Sequence, residues 1–271
     1  WYSVPSVLVQ LVLQDALADR DLSALRWVLF GGEAFPLKHL EKLMSLAPNA
    51  RFSNVYGPTE VNQCTFYHLT GQTPLTEALP IGRVWPNTEA LILGDDDSPV
   101  APGEPGELLI RSPTMMLGYW QQPELNERAF FYRTRDSGVR DRFYRTGDLV
   151  RAGSDGNLEF LGRKDRQIKT RGYRVELDEI EHLLNLHESV EEAATYTVEA
   201  LREGLLIEAA VIASEGARLS QKDLAKNLIR HLARHLPPYA RPRRVIVLDE
   251  FPRTRTGKID RNALSRLPDA G

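Results

Sequence analysis

Residues 162–181 constrain the fold more than any other stretch of the sequence. They read Gly-Arg-Lys-Asp-Arg-Gln-Ile-Lys-Thr-Arg-Gly-Tyr-Arg-Val-Glu-Leu-Asp-Glu-Ile-Glu. Charged and apolar residues alternate up to Ile168, Arg171-Gly172 is a turn signal, and from Leu177 onward the apolar residues recur with a helical period. The pattern predicts a strand, a tight turn, a second strand and then an amphipathic helix.

The same segment is rich in positive charge and marks a change in composition. A solvated surface hairpin is the simplest interpretation. However, a cation-lined joint between two domains suits a protein that closes over a polyanion. We therefore predict domains at 1–163 and 164–271, with a hinge at about Asp165. The six cations that flank this aspartate are Arg163, Lys164, Arg166, Lys169, Arg171 and Arg174.

Composition excludes several classes of protein. The 271 residues are 42% hydrophobic and 26% charged, as in ordinary globular proteins, and the net charge of −3 argues against a nucleic-acid binder. One cysteine, Cys64, excludes a disulfide framework and a cysteine-rich metal site. No apolar run is long enough to span a membrane, so we expect a cytoplasmic protein. Because the sequence opens at Trp1 on apolar residues, we expect a piece of a longer chain.

The first domain begins with a strand–helix–strand pattern over residues 1–89. Apolar runs at 25–30 and 52–55 flank a helix that starts at Pro36, which predicts a βαβ unit in a mostly parallel sheet. Ligands of such sheets gather at the carboxyl ends of the strands. Residues 31–33 and 56–60 lie at those ends.

The sequence from Asn54 to Glu60, Asn-Val-Tyr-Gly-Pro-Thr-Glu, combines several groups that bind nucleotides. It could be only a strand-to-loop corner. As chemistry it offers an amide for a base edge, the face of Tyr56 for stacking, the Thr59 hydroxyl for a phosphate and the Glu60 carboxylate for a hard cation. This set suits a nucleotide with Mg²⁺.

Residues 90–163 change to short strands separated by turns, which predicts a small antiparallel β subdomain. The strands are expected at 90–93, 106–111 and 156–161. Near the end of this region Asp148 follows Gly147. A turn aspartate is commonly structural, and the functional alternative is a carboxylate that accepts both ribose hydroxyls.

The second domain is predicted to contain strands at 209–213 and 245–248 around a helix that Ser220 caps. Its tail carries Lys258 on a basic loop, where a lysine is either solvated or a mobile group that delivers charge to an active site. His231 and His235 have i, i+4 spacing, but they share their helix with arginines, so we favour a helix surface over a metal site there.

Taken together and in this order, these stretches resemble the adenylate-forming enzymes, specifically the amino-acid adenylation domains of nonribosomal peptide synthesis. The resemblance implies an α/β protein: the end of a large core followed by a small, mobile α/β C-terminal domain. It also implies that the phosphate loop and the amine-binding aspartate lie upstream, so this piece alone would be inactive. The matching stretches are 54–60, 106–119, 144–148, 162–181, 236–243 and 252–261.

The resemblance implies a role for each matched residue. Catalysis would involve Lys258, Thr59 and Glu60, with Glu60 as the Mg²⁺ ligand and Lys258 bridging the substrate carboxylate and the α-phosphate. Asp165 would be the hinge, and Gly172 would lie near the pantetheine thiol in the second half-reaction. Asn54 and Tyr56 would contact adenine, and Asp148 and Arg163 would contact ribose. Lys169 would be a further contact to the nucleotide.

The implied activity is ATP-dependent formation of an aminoacyl-AMP and transfer to the phosphopantetheine thiol of a carrier protein, with a small activator protein as a further partner. Proline is the leading substrate, because residues 1–6 and 56–67 are similar to those stretches of freestanding prolyl-AMP ligases. A CoA ligase of the same superfamily and a non-catalytic docking module remain alternatives. The implied side-chain pocket is small to medium, mainly apolar and uncharged, and its residues are Ser3, Val28, Phe30, Val55, Gln63 and Cys64.

Overall fold

A computed structural model describes residues 1–69, 79–200, 204–216, 218–255 and 257–268. The chain divides into two compact units, Trp1–Asp165 and Arg166–Gly271. No helix among these described residues has the length and apolar character that crossing a membrane requires.

The first unit opens with a mixed five-stranded sheet in the order β1–β2–β3–β4–β5. Strands β1 to β3 are parallel, and β4 and β5 are antiparallel. The prediction of a mostly parallel sheet therefore holds for three strands only, because β3 and β4 are joined by a short loop without a crossover helix. The elements are β1 Tyr2–Ser3, α1 Pro5–Leu13, β2 Trp27–Gly31, α2 Leu37–Leu46, β3 Arg51–Tyr56, β4 Thr65–Leu69 and β5 Arg83–Val84.

Both helices of this region begin next to a proline and bury one apolar face. Pro5 occupies the first turn of α1, and Pro36 precedes α2. The apolar residues at 7–17 have helical spacing, which predicts a helix over that range, but α1 ends at Leu13 because Asp15 adopts a left-handed conformation at φ 50°. Leu17 nevertheless remains buried in the same core.

A second sheet in the first unit is antiparallel throughout, as predicted for residues 90–163. Its order is β10–β9–β7–β6, and β8 also pairs with β9. The core under it includes Leu108, Ile110, Tyr144 and Val150. The elements are β6 Glu89–Leu93, β7 Gly106–Arg111, α3 Pro123–Ala129, β8 Phe130–Thr134, β9 Arg140–Ala152 and β10 Leu158–Arg163.

The second unit has the predicted strand–turn–strand–helix at its start, followed by a three-stranded sheet in the order β13–β14–β15. Strand β13 was not predicted, because its sequence, Val-Glu-Glu-Ala-Ala-Thr-Tyr-Thr-Val-Glu-Ala, lacks a clear alternation at its start. The elements are β11 Gln167–Thr170, β12 Tyr173–Glu176, α4 Leu177–Asn185, β13 Val190–Ala200, β14 Gly204–Ala213, α5 Gln221–His235, β15 Val245–Leu248 and α6 Arg261–Leu264.

Local sequence explains the turn and the cap in this unit. Arg171 and Gly172 have φ values of 51° and 82°, the left-handed pair that a two-residue hairpin requires. The Ser220 hydroxyl accepts a hydrogen bond from the Asp223 backbone N–H at 3.2 Å and caps α5, as predicted. The buried face of α5 is formed by Leu224, Leu228 and Leu232.

Candidate active site

Strands β9 and β10 bring Asp148 and Arg163 together as directly paired residues. Arg163 Nη1 donates to Asp148 Oδ1 at 2.6 Å, and the same nitrogen lies 3.1 Å from the Thr146 carbonyl oxygen. Asp148 is only 1% exposed. A buried carboxylate requires such a partner, because an unpaired charge away from water is costly. The two predicted ribose contacts therefore meet.

Tyr56, at the end of β3, reaches the same carboxylate, and its hydroxyl donates to Asp148 Oδ2. Burial, together with the negative charge of Asp148, raises the pKa of the Tyr56 phenol well above its ordinary value. Tyr56 thus stays a neutral hydrogen-bond donor. The fold links the predicted adenine contact to the predicted ribose contact across 92 residues of sequence.

Arg163 also holds Asp165, the last residue of the first unit, with Nε–Oδ1 and Nη2–Oδ2 distances of 2.6 and 2.5 Å. Partial burial lowers the pKa of Arg163, but the hydrogen bonds to Asp165 and the charge of Asp148 outweigh it and raise the pKa. Gly147 permits this arrangement: its φ is +70°, and an added Cβ would lie 2.8 Å from Arg163 Nη2.

Glu60 occupies a second polar centre, on the loop between β3 and β4. It is 8% exposed, and Tyr119 donates its hydroxyl to Glu60 Oε1 at 2.6 Å. The Tyr144 hydroxyl, on β9, lies 3.3 Å from that of Tyr119. Burial and the bond to Glu60 raise the pKa of Tyr119, so this phenol also remains neutral. Glu60 is therefore held in one orientation by an uncharged donor.

The residues around Glu60 can be compared with what a Mg²⁺ site requires. Among the described residues there is no group of three or more His, Cys, Asp and Glu side chains placed to hold a metal ion. Magnesium commonly binds through one or two carboxylates together with substrate phosphates and water. The single oriented carboxylate of Glu60 fits an ion that arrives with a nucleotide.

Other predicted residues of the first unit lie around these strands. Ser3, Phe30 and Asn54 are register partners on β1, β2 and β3, so they form one row across the sheet. Asn54 Nδ2 donates to the Pro80 carbonyl at 2.9 Å. Thr59 is exposed on its loop.

The remaining predicted pocket residues are mostly interior. Val28 and Phe30 are 1% and 0% exposed and belong to the core beneath α1 and α2. Cys64 is buried in the core of the antiparallel sheet. Val55 is buried, and Gln63 is half-buried. Their assignment to a substrate pocket stays a prediction.

Three predicted residues lie in the second unit. Lys169 pairs in register with Arg174 on the β11–β12 hairpin, and Gly172 occupies the turn. Lys258 is exposed on a tight loop, in which the Thr254 N–H donates to the Lys258 carbonyl at 2.7 Å. The roles of these residues also stay predictions.

Sequence reasoning did not single out Tyr119 or Tyr144. Both lie within stretches that carry the resemblance, 106–119 and 144–148. Nothing in the local pattern signals the contact of Tyr119 with Glu60, since the two residues lie 59 positions apart, or that of Tyr144 with Tyr119.

Comparisons with known proteins agree on one family. A family model described as "AMP-binding enzyme" matches residues 1–120, and another described as "AMP-binding enzyme C-terminal domain" matches residues 179–258. The first match lies in the first unit, and the second match lies in the second unit.

Sequence relatives include an L-proline–[L-prolyl-carrier protein] ligase from Pseudomonas fluorescens, 38% identical over 269 residues, covering 98% of this chain and 50% of that protein. Malpibaldin synthetase from Mortierella alpina is 40% identical over 258 residues, covering 94% of this chain and 4% of the synthetase. The chain thus spans about half the length of the first relative and a small fraction of the second.

Solved structures show the same fold. The Vibrio cholerae adenylation domain AlmE, in complex with glycyl-adenosine-5′-phosphate, has a TM-score of 0.81 and 27% identity, covering 98% of this chain and 49% of that one. PA1221, an NRPS protein containing adenylation and PCP domains, has a TM-score of 0.79 and 28% identity, covering 97% and 44%. The chain therefore belongs to the AMP-binding enzymes of the adenylate-forming superfamily.

Proposed function

We propose that this chain belongs to a ligase that activates an amino acid with ATP as aminoacyl-AMP and then transfers it to the phosphopantetheine thiol of a carrier protein. The named activity of the P. fluorescens relative and the glycyl-adenylate in the AlmE structure support this reaction class. A ligase that consumes ATP works where ATP is supplied, so the predicted cytoplasmic location belongs to the same proposal.

The contact of Asp148 with both Tyr56 and Arg163 carries the proposal. An ionised carboxylate has about four acceptor sites, so Asp148 can accept ribose hydroxyls while it keeps both donors. In this role Arg163 and Tyr56 fix the carboxylate before the nucleotide arrives, and the loss of entropy on binding is smaller than for a mobile side chain.

The phosphate chemistry is assigned to three groups. A carboxylate that attacks the α-phosphate brings two anions together, so the reaction needs positive charge at the transferring group. Mg²⁺ held by Glu60 would offset phosphate charge, Thr59 would donate to a phosphate oxygen, and Lys258 would bridge the two reacting anions. Lysine suits this role because it is a point charge on a long flexible stem.

We further propose that residues 164–271 move as one domain about Asp165 against residues 1–163, which comprise the βαβ region 1–89 and the β subdomain 90–163. One closure would present Lys258 for adenylate formation. The other would present the turn at Gly172, beside which the carrier's pantetheine arm would enter. The small activator protein stays a prediction.

Proline is the proposed substrate, since the relative that matches 98% of this chain is named for it. The uncharged, mainly apolar residues assigned to the pocket suit a small side chain. A CoA ligase of the same superfamily is the second candidate, favoured by the shared fold alone.

The test is amino-acid-dependent ATP–pyrophosphate exchange, measured on the full-length protein that contains this sequence. Proline-dependent exchange, above the exchange with small apolar amino acids and aryl acids, would support the complete proposal. Exchange with non-amino carboxylic acids alone would move the protein to the CoA ligases. If the full-length protein folds and binds ATP but shows no exchange with any acid, the proposed ligase activity is contradicted and a non-catalytic docking module is favoured.

Replacing Lys258 separates the two half-reactions. Lys258→Ala should lower the rate of exchange by about 10² to 10³-fold, the cost of losing one group that stabilises transition-state charge. Consumption of preformed aminoacyl-adenylate by the carrier should persist. The exposed Lys222 on α5 provides the control, and Lys222→Ala should leave both rates unchanged. Equal loss of both half-reactions in Lys258→Ala would contradict the assignment.

A further inference from the structure

The loop that carries Lys258 is closed at its base. We call residues 252–255 and 257–260 the lysine loop. The Asp260 N–H donates to the Pro252 carbonyl at 2.7 Å, and the Gly257 N–H donates to the Thr254 carbonyl at 2.9 Å. Gly257 has a φ of +82°, so the tip requires a left-handed residue. Arg253 Nη1 donates to the Gly257 carbonyl at 3.2 Å, and its Nη2 donates to Glu192 Oε2, on β13, at 2.7 Å. The position of the tip therefore depends on this exposed ion pair and on what holds the base.

Arg261 follows the loop directly and is fixed by a carboxylate from another element. It is the first residue of α6, and its Nη2 lies 2.9 and 3.1 Å from the two carboxylate oxygens of Glu181, on α4. Glu181 precedes Arg261 by 80 residues, so this contact attaches the base of the lysine loop to a distant helix.

The same carboxylate binds the residue with which the second unit begins. Arg166 Nη1 donates to Glu181 Oε2 at 2.9 Å. Arg166 Nη2 donates to the Thr195 carbonyl oxygen at 2.6 Å, and the Thr195 N–H donates to Glu181 Oε2 at 2.8 Å. Glu181 is therefore shared between the start of the unit, strand β13 and the base of the lysine loop.

The surroundings keep this network ionised and ordered. The side chains of Glu181, Arg166 and Arg261 are 17%, 26% and 31% exposed. Burial alone would raise the pKa of Glu181, but the Thr195 N–H and the charges of Arg166 and Arg261 outweigh it and lower the pKa. Charge-assisted bonds of this kind are shorter and stronger than neutral ones, and they fix direction as well as distance.

We propose that Glu181 is a positioning residue that couples Arg166 to Arg261, so that the lysine loop moves rigidly with the first residue of the second unit and Lys258 is placed accurately at the reacting groups. The inference rests on the proposed function for the role of Lys258. Without Glu181 the loop would remain attached through the Arg253–Glu192 ion pair, whose side chains are 47% and 34% exposed, and through the apolar packing of Phe251 and Leu264. An exposed ion pair contributes little and apolar packing is non-directional, whereas a displacement of about 1 Å at a reacting group can cost 10²-fold in rate.

Replacing Glu181 should affect one half-reaction selectively. In Glu181→Ala, Arg261 loses its carboxylate, while Arg166 keeps its contacts to Asp178 and Thr195. The β11–β12 hairpin that bears Gly172 thus keeps its anchor. In the full-length protein we expect kcat for adenylation to fall about 10²-fold with an unchanged KM for ATP, while carrier loading from preformed adenylate persists. Glu181→Gln should recover some of the rate.

Asp178 offers a matched control. It is 66% exposed and binds Arg166 Nη1 but not Arg261. Asp178→Asn therefore removes a carboxylate from the same arginine and should leave adenylation unchanged. A purely structural role for Glu181 would instead lower both half-reactions together with the unfolding temperature.

Hydrogen exchange gives a readout that does not require activity. Loss of the Glu181–Arg261 contact should speed hydrogen exchange of the Thr254, Gly257 and Asp260 amides about tenfold or more in Glu181→Ala, and not in Asp178→Asn. Unchanged amide exchange, or equal loss of both half-reactions, overturns the proposal for Glu181. Absence of pyrophosphate exchange in the wild-type protein would overturn the proposed function instead, so the two failures are distinguishable.

Discussion

The carboxylate of Asp148 is 1% exposed and binds two donors from different strands, Tyr56 and Arg163. Burial raises the pKa of Tyr56, so this donor stays neutral. The carboxylate partners of Arg163 raise its pKa, so this donor stays charged. At the scale of residues, the site is therefore a preorganised acceptor. Its integrity depends on the charge of Asp148.

Removing that charge should destabilise the first unit. Asp148→Ala leaves the Arg163 guanidinium and the Tyr56 hydroxyl without their buried partner, which commonly costs about 3 to 5 kcal/mol. We expect the lower end, since Arg163 keeps Asp165, and a rise in the KM for ATP. Urea unfolding measures the loss of stability, and the kinetics of ATP–pyrophosphate exchange in the full-length protein measure the KM for ATP. The control, Asp95→Ala, removes a 95% exposed partner of Lys164 and should cost little.

At the scale of elements, the loop from Tyr56 to Cys64 is shaped by close backbone approach. The Cys64 N–H donates to the Tyr56 carbonyl at 2.8 Å, which closes the loop at its base. An added Cβ on Gly57 would lie 1.6 Å from the Asn62 carbonyl oxygen. The glycine is therefore required by space, and it fixes where Tyr56 and Glu60 point.

Gly57→Ala should displace this loop. Backbone cannot yield as a flexible side chain does, and overpacking of this kind costs about 1 to 3 kcal/mol. The KM for ATP should rise more than kcat falls, because the predicted nucleotide contacts move. A Cβ on Gly216 meets no heavy atom within 4 Å, so Gly216→Ala is the control. Equal nucleotide affinity in wild type and Gly57→Ala would be inconsistent with this role.

A group of imidazoles, two on helix α5 and one just after α4, makes the stability of the second unit depend on pH. The ring of His231 lies 5.2 Å from that of His187 and 5.0 Å from that of His235, and its Nε2 is 3.2 Å from the Leu183 carbonyl oxygen. Burial, with the charges of His187, His235 and Arg234, lowers the pKa of His231 below its ordinary 6.5. The folded protein therefore favours the neutral ring.

The sign of the pH effect follows from this lowering. The unfolded chain protonates His231 at a higher pH than the folded chain, so stability should fall as the pH drops from about 7.5 to about 5.5. His231→Gln should show a smaller fall in unfolding temperature over the same range. A wild type and variant with parallel pH profiles would exclude His231 as the source.

At the scale of the whole molecule, each unit has a core of its own. The second unit buries Ile180 and Leu184 of α4 and Leu228 of α5 against the strands β13 to β15, all within Arg166–Gly271. A compact unit with its own apolar core can in principle fold alone.

We therefore expect residues 166–271 to fold as an isolated polypeptide. Urea should unfold it in one cooperative transition, followed by circular dichroism. Leu228 is 0% exposed, so Leu228→Ala should lower the free energy of unfolding by about 2 to 5 kcal/mol. A non-cooperative loss of signal would mean that the unit depends on the rest of the protein.

Local pattern was sufficient for much of the fold. The β11–β12 turn at Arg171-Gly172, the Ser220 cap and the antiparallel strands near Gly106 follow from preferences of neighbouring residues, so the sequence predicts them. It also identified Asn54, Tyr56, Asp148 and related residues as candidates for nucleotide contacts, through the resemblance.

What the tertiary structure alone decided are the contacts between distant segments. Tyr56 contacts Asp148 across 92 residues of sequence, and Tyr119 contacts Glu60 across 59. Glu181 binds both Arg166 and Arg261, and it lies 80 residues from Arg261. Such contacts depend on strand order, register and packing, which no local propensity encodes. The sequence determined which chemical groups this protein has, and the fold determined which of them are held together and in what direction.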